Sequence, residues 1–115
     1  MPIWNIEFFP PSGERDSPYD YILDLSDNVE KVQIRRRLNT LRELELGEWP
    51  HRWVHKITTD IWQLTAGNNR LMYFLDGRTI VVLHACRKVK GKTRPQDKER
   101  AIIHYDEYMA QKKGS

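Results

Sequence analysis

The first residues alternate between apolar and polar side chains, which predicts a β-strand from Ile3 to Phe9. The segment Pro10–Gly13 is rich in turn residues and ends this strand. Ser17 followed by Pro18 is typical of a helix start, because serine caps free backbone N–H groups and proline suits the first helical turn. We therefore expect a short helix here. Its apolar residues are Tyr21, Ile22 and Leu25.

A longer helix is predicted from Val29 to Leu46, where apolar residues recur at intervals of three and four. Gly47 is a suitable residue for its end. Glu48–Val54 contains proline and two tryptophans and is interpreted as an extended connection. The apolar stripe of the helix contains Ile34, Leu38, Leu41 and Leu44. The arginines lie mostly off that stripe and are Arg35, Arg36, Arg37 and Arg42.

Three strands are predicted in quick succession, at Ile57–Thr65, Arg70–Leu75 and Thr79–Cys86. The first two are separated by the turn Ala66–Asn69, and Asp76-Gly77 is a strong hairpin signal between the second and third. The strand Thr79–Cys86 is apolar enough to be buried on both faces. Connections this short predict an antiparallel meander.

A basic loop, Arg87–Arg94, precedes a last helix that begins at Pro95. We expect the first strand to join the meander, because its apolar residues would otherwise be exposed. The order is therefore strand, helix, helix, three-strand antiparallel meander and C-terminal helix. One layer of helices on one sheet gives an α+β fold in a single domain, residues 1–115, with Gly114-Ser115 as a flexible tail or an added sequence. The apolar face of the last helix contains Ala101, Ile102, Tyr105, Tyr108 and Met109.

The net charge is only +3, but it is distributed unevenly. Residues 1–30 sum to −6, whereas residues 56–94 sum to +6. A basic region of this kind favours a polyanion as the partner, although a solvated lysine-rich loop gives the same pattern. The bases of the second region are Lys56, Arg70, Arg78, Arg87, Lys88, Lys90, Lys92 and Arg94.

Several classes of protein are not favoured by this sequence. Cys86 is the single cysteine, so neither a disulfide framework nor a cysteine-based zinc site is expected. The first residues do not resemble a signal peptide and no apolar run could cross a bilayer, so we expect a cytoplasmic protein without membrane contact. His51 and His55 have the spacing of a helical metal pair, but a helix there is doubtful, and we expect neither metal nor cofactor.

The basic loop between a buried strand and a helix is suited to holding phosphates. In a meander, Arg70, Lys56 and Arg78 can converge with it on one concave face. RNA supplies its own nucleophile, the 2′-hydroxyl, so basic side chains that orient the strand, move a proton and stabilise charge are sufficient. Structural roles remain open for several of these positions. Arg70 could pair with Asp60 or Asp76, and the residues favoured as structural are Trp62, Tyr73, His84 and Cys86.

These segments together resemble the phage-derived HigB-like branch of the RelE/ParE toxin superfamily over nearly the whole chain. The order and spacing of the pieces carry the resemblance. They are GERDSPYDYILDL at 13–25, the leucine-rich helix at 34–46, IWQL at 61–64, RLMYF at 70–74, and the stretch with Leu83, His84, Lys88, Lys92, Thr93 and Pro95.

The resemblance implies a RelE-like microbial RNase fold and cleavage of mRNA on the ribosome. It also implies a helix-turn-helix antitoxin as partner, through which alone the toxin would contact DNA. By position, Arg70, Lys88 and Lys56 match catalytic residues of the family, Arg70 as a transition-state stabiliser. The residues expected to bind RNA are Arg87, Lys90, Lys92, Arg94 and Arg78.

The chain departs from the family at three positions. Thr65 stands where arginine is common, Gln63 replaces a glutamate, and Cys86 replaces an aromatic residue. Two alternatives to the endonuclease stay open, of which Thr65 and Gln63 suggest only the inactive form. One is a ParE-like toxin that inhibits a protein such as gyrase, and the other is an inactive toxin-like binding protein. One fold can host each of these functions.

Overall fold

The structure is a computed structural model that describes residues 2–89 and 91–113, so the tail expected at Gly114-Ser115 lies outside the described residues. None of the helices in these two ranges combines the length and apolarity needed to cross a bilayer. A single 3₁₀ turn, Leu46–Glu48, lies between the second helix and the second strand. The strands and helices, in chain order, are β1 (Asn5–Phe8), α1 (Pro18–Leu23), α2 (Asn28–Glu43), β2 (Val54–Lys56), β3 (Trp62–Ala66), β4 (Asn69–Asp76), β5 (Thr79–Arg87) and α3 (Pro95–Lys113).

The strands form one mixed sheet in the order β1-β5-β4-β3-β2. The meander and its antiparallel pairing are confirmed, and β1 joins the sheet as expected, in parallel to β5. The meander has four strands rather than three, because Val54–Lys56 pairs with β3. This strand was predicted as part of an extended connection, since three residues between tryptophans and a loop are too few to show an alternating pattern.

Two predicted boundaries were wrong. Helix α2 ends at Glu43 rather than Leu46, because the backbone of Leu44 is extended (φ −115°, ψ 144°). Strand β3 begins at Trp62 rather than Ile57, because the chain before it folds back on itself. The N–H of Ile57 donates to the carbonyl of Ile61 at 2.9 Å, and the Thr58 hydroxyl accepts from the N–H of Ile61 at the same distance.

Helices cover both faces of the sheet, so the expected single layer of helices was wrong. Helix α2 packs on one face through Ile34, Leu38 and Leu41. Helix α3 packs on the other through Ala101, with Ile102, Tyr105, Tyr108 and Met109 around it. The predicted burial of β5 on both faces is confirmed, because its residues alternate between the two cores. Ile80 and Val82 face α2, whereas Val81 and Leu83 face α3.

Candidate functional site

Arg70 lies near the start of β4, between Thr65 of β3 and Cys86 of β5. Its neighbour Leu71 faces α2, so strand alternation directs Arg70 towards α3. The residue is only 7% exposed. Its Nη2 donates to the carbonyl oxygen of Gly91 at 2.7 Å, and its Nε has no hydrogen-bond partner within the described residues.

Arg70 forms no ion pair within residues 2–89 and 91–113. The structural alternative, a pair with Asp60 or Asp76, is therefore not what the structure shows. A buried guanidinium normally has a carboxylate or several acceptors, since an unpaired charge in a low-dielectric environment is costly. This arginine has one neutral acceptor and a free N–H, which is the arrangement expected of an anion-binding group.

The basic loop begins and ends at fixed points beside Arg70. The backbone N–H of Lys88 donates to the carbonyl of Asn68 at 2.6 Å, and the Thr93 hydroxyl donates to Oε1 of Gln63 at 2.7 Å. The side chains of Lys88 and Lys92 are exposed. Lys90, which was expected to bind RNA, lies outside the described residues. Exposed lysines therefore flank the buried arginine.

Asp97, in the first turn of α3, joins the helix to the sheet. Its Oδ1 lies 2.9 Å from Nε2 of His84, and its Oδ2 accepts from Nε of Arg94 at 2.7 Å. Burial raises the pKa of Asp97, but these hydrogen bonds outweigh it and hold the pKa below its ordinary value. His84 thus has the structural role favoured for it, and Arg94 is occupied by a carboxylate.

Cys86 lies in the same cluster, and burial raises the pKa of its thiol to about 12. The ligand atoms of His84, Cys86 and Asp97 lie within 4.8 Å of one another, a spacing that a metal ion could use. The Arg94 guanidinium on Asp97 places a positive charge beside that position, which opposes a cation. We therefore assign the cluster to the docking of α3 on the sheet.

Arg87 was expected to bind RNA, but its guanidinium is partly neutralised. Its Nη1 lies 3.0 Å from Oε1 of Glu30, a buried residue of α2. The same oxygen accepts from Nδ2 of Asn69 at 3.0 Å, and Oδ1 of Asn69 accepts from the Tyr21 hydroxyl at 2.6 Å. This network ties both early helices to the end of the sheet where the basic loop begins.

Lys56 and Arg78 do not converge with Arg70, so that expectation was wrong. Lys56 lies on the edge strand β2, and its Nζ is 5.2 Å from the ring centroid of Trp62, which packs against the α2 side of the sheet. Arg78 lies in the β4–β5 turn, at the opposite end of β4, where its guanidinium covers Trp4 and reaches Glu45. Lys56 is thus separated from Arg70 by the sheet, and Arg78 by the length of β4, although all three lie in the same basic region of the sequence.

His51 and His55 are exposed, one in a turn and the other in β2, so they are not a helical metal pair. Sequence reasoning missed Glu30 and Asp97, the two acids that neutralise arginines near the site. An acid two positions after Pro95 is a usual helix-start signal and could have indicated Asp97. Glu30 gave no signal, because Arg87 is 57 residues away along the chain.

The fold is thus a compact α+β domain with a basic loop beside a buried arginine that has no ionic partner among the described residues. The family model described as "Phage derived protein Gp49-like (DUF891)" matches residues 20–106, about three quarters of the chain. The chain belongs to this family, a RelE/toxin-like family whose members are commonly toxins of toxin–antitoxin systems. A search of curated proteins found no match. The matched residues include Arg70 and Lys88.

Proposed function

We propose that this protein is the toxin of a type II toxin–antitoxin system and cleaves mRNA on translating ribosomes, as the RelE and HigB-like toxins that it resembles do. The observation that carries the proposal is the state of Arg70. Its guanidinium is buried, has no anionic partner within the described residues, and lies beside a lysine-rich loop. A scissile phosphate supplies the missing negative charge.

The proposed chemistry needs no metal. The RNA 2′-oxygen attacks the adjacent phosphorus and loses its proton, while the bond from phosphorus to the 5′-oxygen breaks and that oxygen gains a proton. The products are a 2′,3′-cyclic phosphate and a 5′-hydroxyl. Arg70 stabilises the charge on the phosphate oxygens, which replace the Gly91 carbonyl as its acceptor. Lys88, Lys90 and Lys92 hold the strand in line.

Lys56 has no part in this proposal, because it lies on the other face of the sheet. Arg87 and Arg94 contribute less than was expected, since Glu30 and Asp97 neutralise them. The partners are mRNA, the ribosome and a helix-turn-helix antitoxin, and DNA is contacted only through that antitoxin. The antitoxin neutralises the toxin by covering the basic face or by blocking its access to the ribosome.

Induced expression in a bacterial host tests the proposal. The variants are Arg70→Ala and Lys88→Ala, with Lys98→Ala as the control, since Lys98 is an exposed lysine of α3 outside the basic loop. We expect growth arrest and new 5′ ends within translated mRNA for the native chain and for Lys98→Ala. Arg70→Ala and Lys88→Ala should each restore growth at an equal protein level.

Two other outcomes would replace the proposal. Growth arrest without new mRNA ends supports a ParE-like toxin, and altered DNA supercoiling in the same cells would indicate gyrase as its target. Normal growth with the native chain at high protein level supports an inactive binding protein. In that case Thr65 and Gln63 are the residues to restore to the family pattern.

A further inference from the structure

A groove on the α2 side of the molecule contains two arginines and a tryptophan. It lies between α2 and the segment before β2 and encloses about 360 Å³. Arg36 and Arg37 line it from α2, and Trp53 lines it from the opposite side. The proposed cleavage site uses none of these residues.

The groove presents both charge and apolar surface. Arg36 is exposed, and neither arginine forms an ion pair within the described part of the chain. Among the described residues, no carboxylate lines the groove, whereas Val29 and Val32 do, and these two residues are 73% and 37% exposed. A ligand that satisfies both features carries negative charge and a flat apolar face.

Arg37 is held rigidly beside the tryptophan. Its Cζ lies 4.5 Å from the centroid of the Trp53 ring, and its Nη1 donates to the carbonyl oxygen of Thr65 at 2.5 Å. A guanidinium stacked on an indole is a fixed positive plane, because its hydrogen bond and its ring contact together restrict its rotamers. A nucleic-acid base of any type can stack on such a plane or ring.

Thr65 links the groove to Arg70. Its carbonyl accepts from Arg37, its N–H donates to the carbonyl of Trp53 at 2.8 Å, and it is the direct cross-strand partner of Arg70. Because Arg70 faces α3 and the groove lies on the α2 side, the two sites meet at the same end of β3 from opposite faces. A chain of nucleotides that passes round this end of the sheet contacts both.

We propose that this groove binds single-stranded RNA, with a base against the valines and Trp53 and with phosphates at Arg36 and Arg37. The inference rests on the proposed function in one respect, that the bound strand is the one that continues to Arg70. Binding itself does not depend on cleavage. An acidic protein segment is the competing occupant, and the groove favours RNA because its rigid arginine–tryptophan stack offers a platform for a planar base.

The test is the affinity of the purified full chain for a short 2′-O-methyl RNA strand labelled with a fluorophore, measured by anisotropy over a series of salt concentrations. The 2′-O-methyl group removes the nucleophile, so the probe reports binding whether or not the chain cleaves RNA. The variant is Arg36→Glu. The matched control is Arg35→Glu, which makes the same change of charge at an exposed residue next to it that lines a different groove.

We expect Arg36→Glu to weaken binding about tenfold and to lower the slope of log affinity against log salt by about 1, the effect of one lost phosphate contact. Arg35→Glu should weaken binding by about twofold, through general charge alone. Bound RNA should also quench tryptophan fluorescence, and this quenching should be lost in Trp53→Phe. Circular dichroism identifies any variant that does not fold, and Arg36→Ala, a smaller change at an exposed site, then replaces Arg36→Glu.

Equal weakening by the two glutamate substitutions, or no weakening by either, would overturn the proposal. A poly-glutamate peptide that competes as well as the RNA strand and loses affinity with Arg36→Glu would also overturn it and would assign the groove to an acidic protein. If the native chain binds the probe but does not cleave mRNA, only the proposed function is contradicted. Loss of probe binding in Arg36→Glu with Arg70 intact supports the groove independently.

Discussion

The guanidinium of Arg70 and the carbonyl oxygen of Gly91 lie 2.7 Å apart, in contact across a strand and the loop that follows the next strand. A neutral carbonyl satisfies one N–H and neutralises no charge. The folded protein therefore keeps a positive charge that it has removed from water without an ionic partner among its described residues. Such a site favours the binding of an anion, and its unpaired charge lowers the free energy of unfolding of the protein.

Replacement of Arg70 by methionine should separate stability from function. Methionine retains most of the buried apolar stem and removes the charge, so the free energy of unfolding should stay within about 1 kcal/mol of the native value or increase. Growth inhibition should disappear. Urea unfolding and induced expression measure the two effects, and a loss of several kcal/mol would mean that Arg70 is mainly structural.

Glu30 should contribute to stability through its hydrogen bonds to Asn69 and Arg87. Glu30→Ala leaves Asn69 buried without its acceptor and frees Arg87, which should lower the free energy of unfolding by about 2 kcal/mol. Glu30→Gln keeps the acceptor and should cost less. Glu43, exposed at the end of the same helix, gives the control, and Glu43→Ala should change the value by less than about 0.5 kcal/mol.

The Glu30 network also marks the limit of what the sequence could reveal. Periodicity found the stripes of α2 and α3 and the doubly buried β5, because these patterns depend on neighbours in the chain. The side of the sheet that a helix covers depends on contacts between distant residues. Both faces were therefore merged into one layer, and Lys56 was grouped with Arg70 although β2 places it on the other side.

The parts of the site that lie in or directly after a buried strand could be predicted from the sequence. Arg70 and the basic loop after β5 were found, because a base next to a buried strand and a run of lysines are local signals. Their degree of neutralisation was not predictable. In the sequence, Arg87 and Arg94 cannot be distinguished from Arg70 as basic residues of the same region. Their ion pairs with Glu30 and Asp97 are visible only in the structure.

Tyr73 is buried in the core on the α2 side, and its hydroxyl has no hydrogen-bond partner within the described residues. Tyr73→Phe removes an unsatisfied polar group and should raise the free energy of unfolding by about 1 kcal/mol. Trp49→Phe provides the contrast, because Nε1 of Trp49 donates to the carbonyl of Leu41 at 3.0 Å. That change should cost about 2 kcal/mol. Destabilisation by Tyr73→Phe would reveal a partner for its hydroxyl.

His84 should make the stability of the protein depend on pH. Burial lowers its pKa below the ordinary 6.5, and the hydrogen bond to Asp97 opposes this only in part. The unfolded chain therefore takes up a proton at a higher pH than the folded protein does. Its contribution to stability is complete above about pH 6.5 and is lost as the pH falls towards the folded pKa.

Urea unfolding at about pH 8 and at about pH 5 measures this dependence. The native protein should lose more stability on acidification than His84→Gln, whose side chain does not titrate. Asp97 remains ionised over this range because its own pKa is lowered, while Arg100 places a positive charge near His84 and His104 is the other titratable group close to it. An identical loss in both proteins would assign the pH dependence to other groups.

The most direct test of the central claim is the mapping of RNA ends in a translation reaction with the purified protein. The native chain should cut mRNA only while ribosomes translate it and should leave 5′-hydroxyl ends, and Arg70→Met, folded and at equal concentration, should leave the mRNA intact. Cleavage by Arg70→Met at the native rate, or arrested translation with uncut mRNA, would contradict the assignment of Arg70 as the residue that stabilises the phosphate during RNA cleavage.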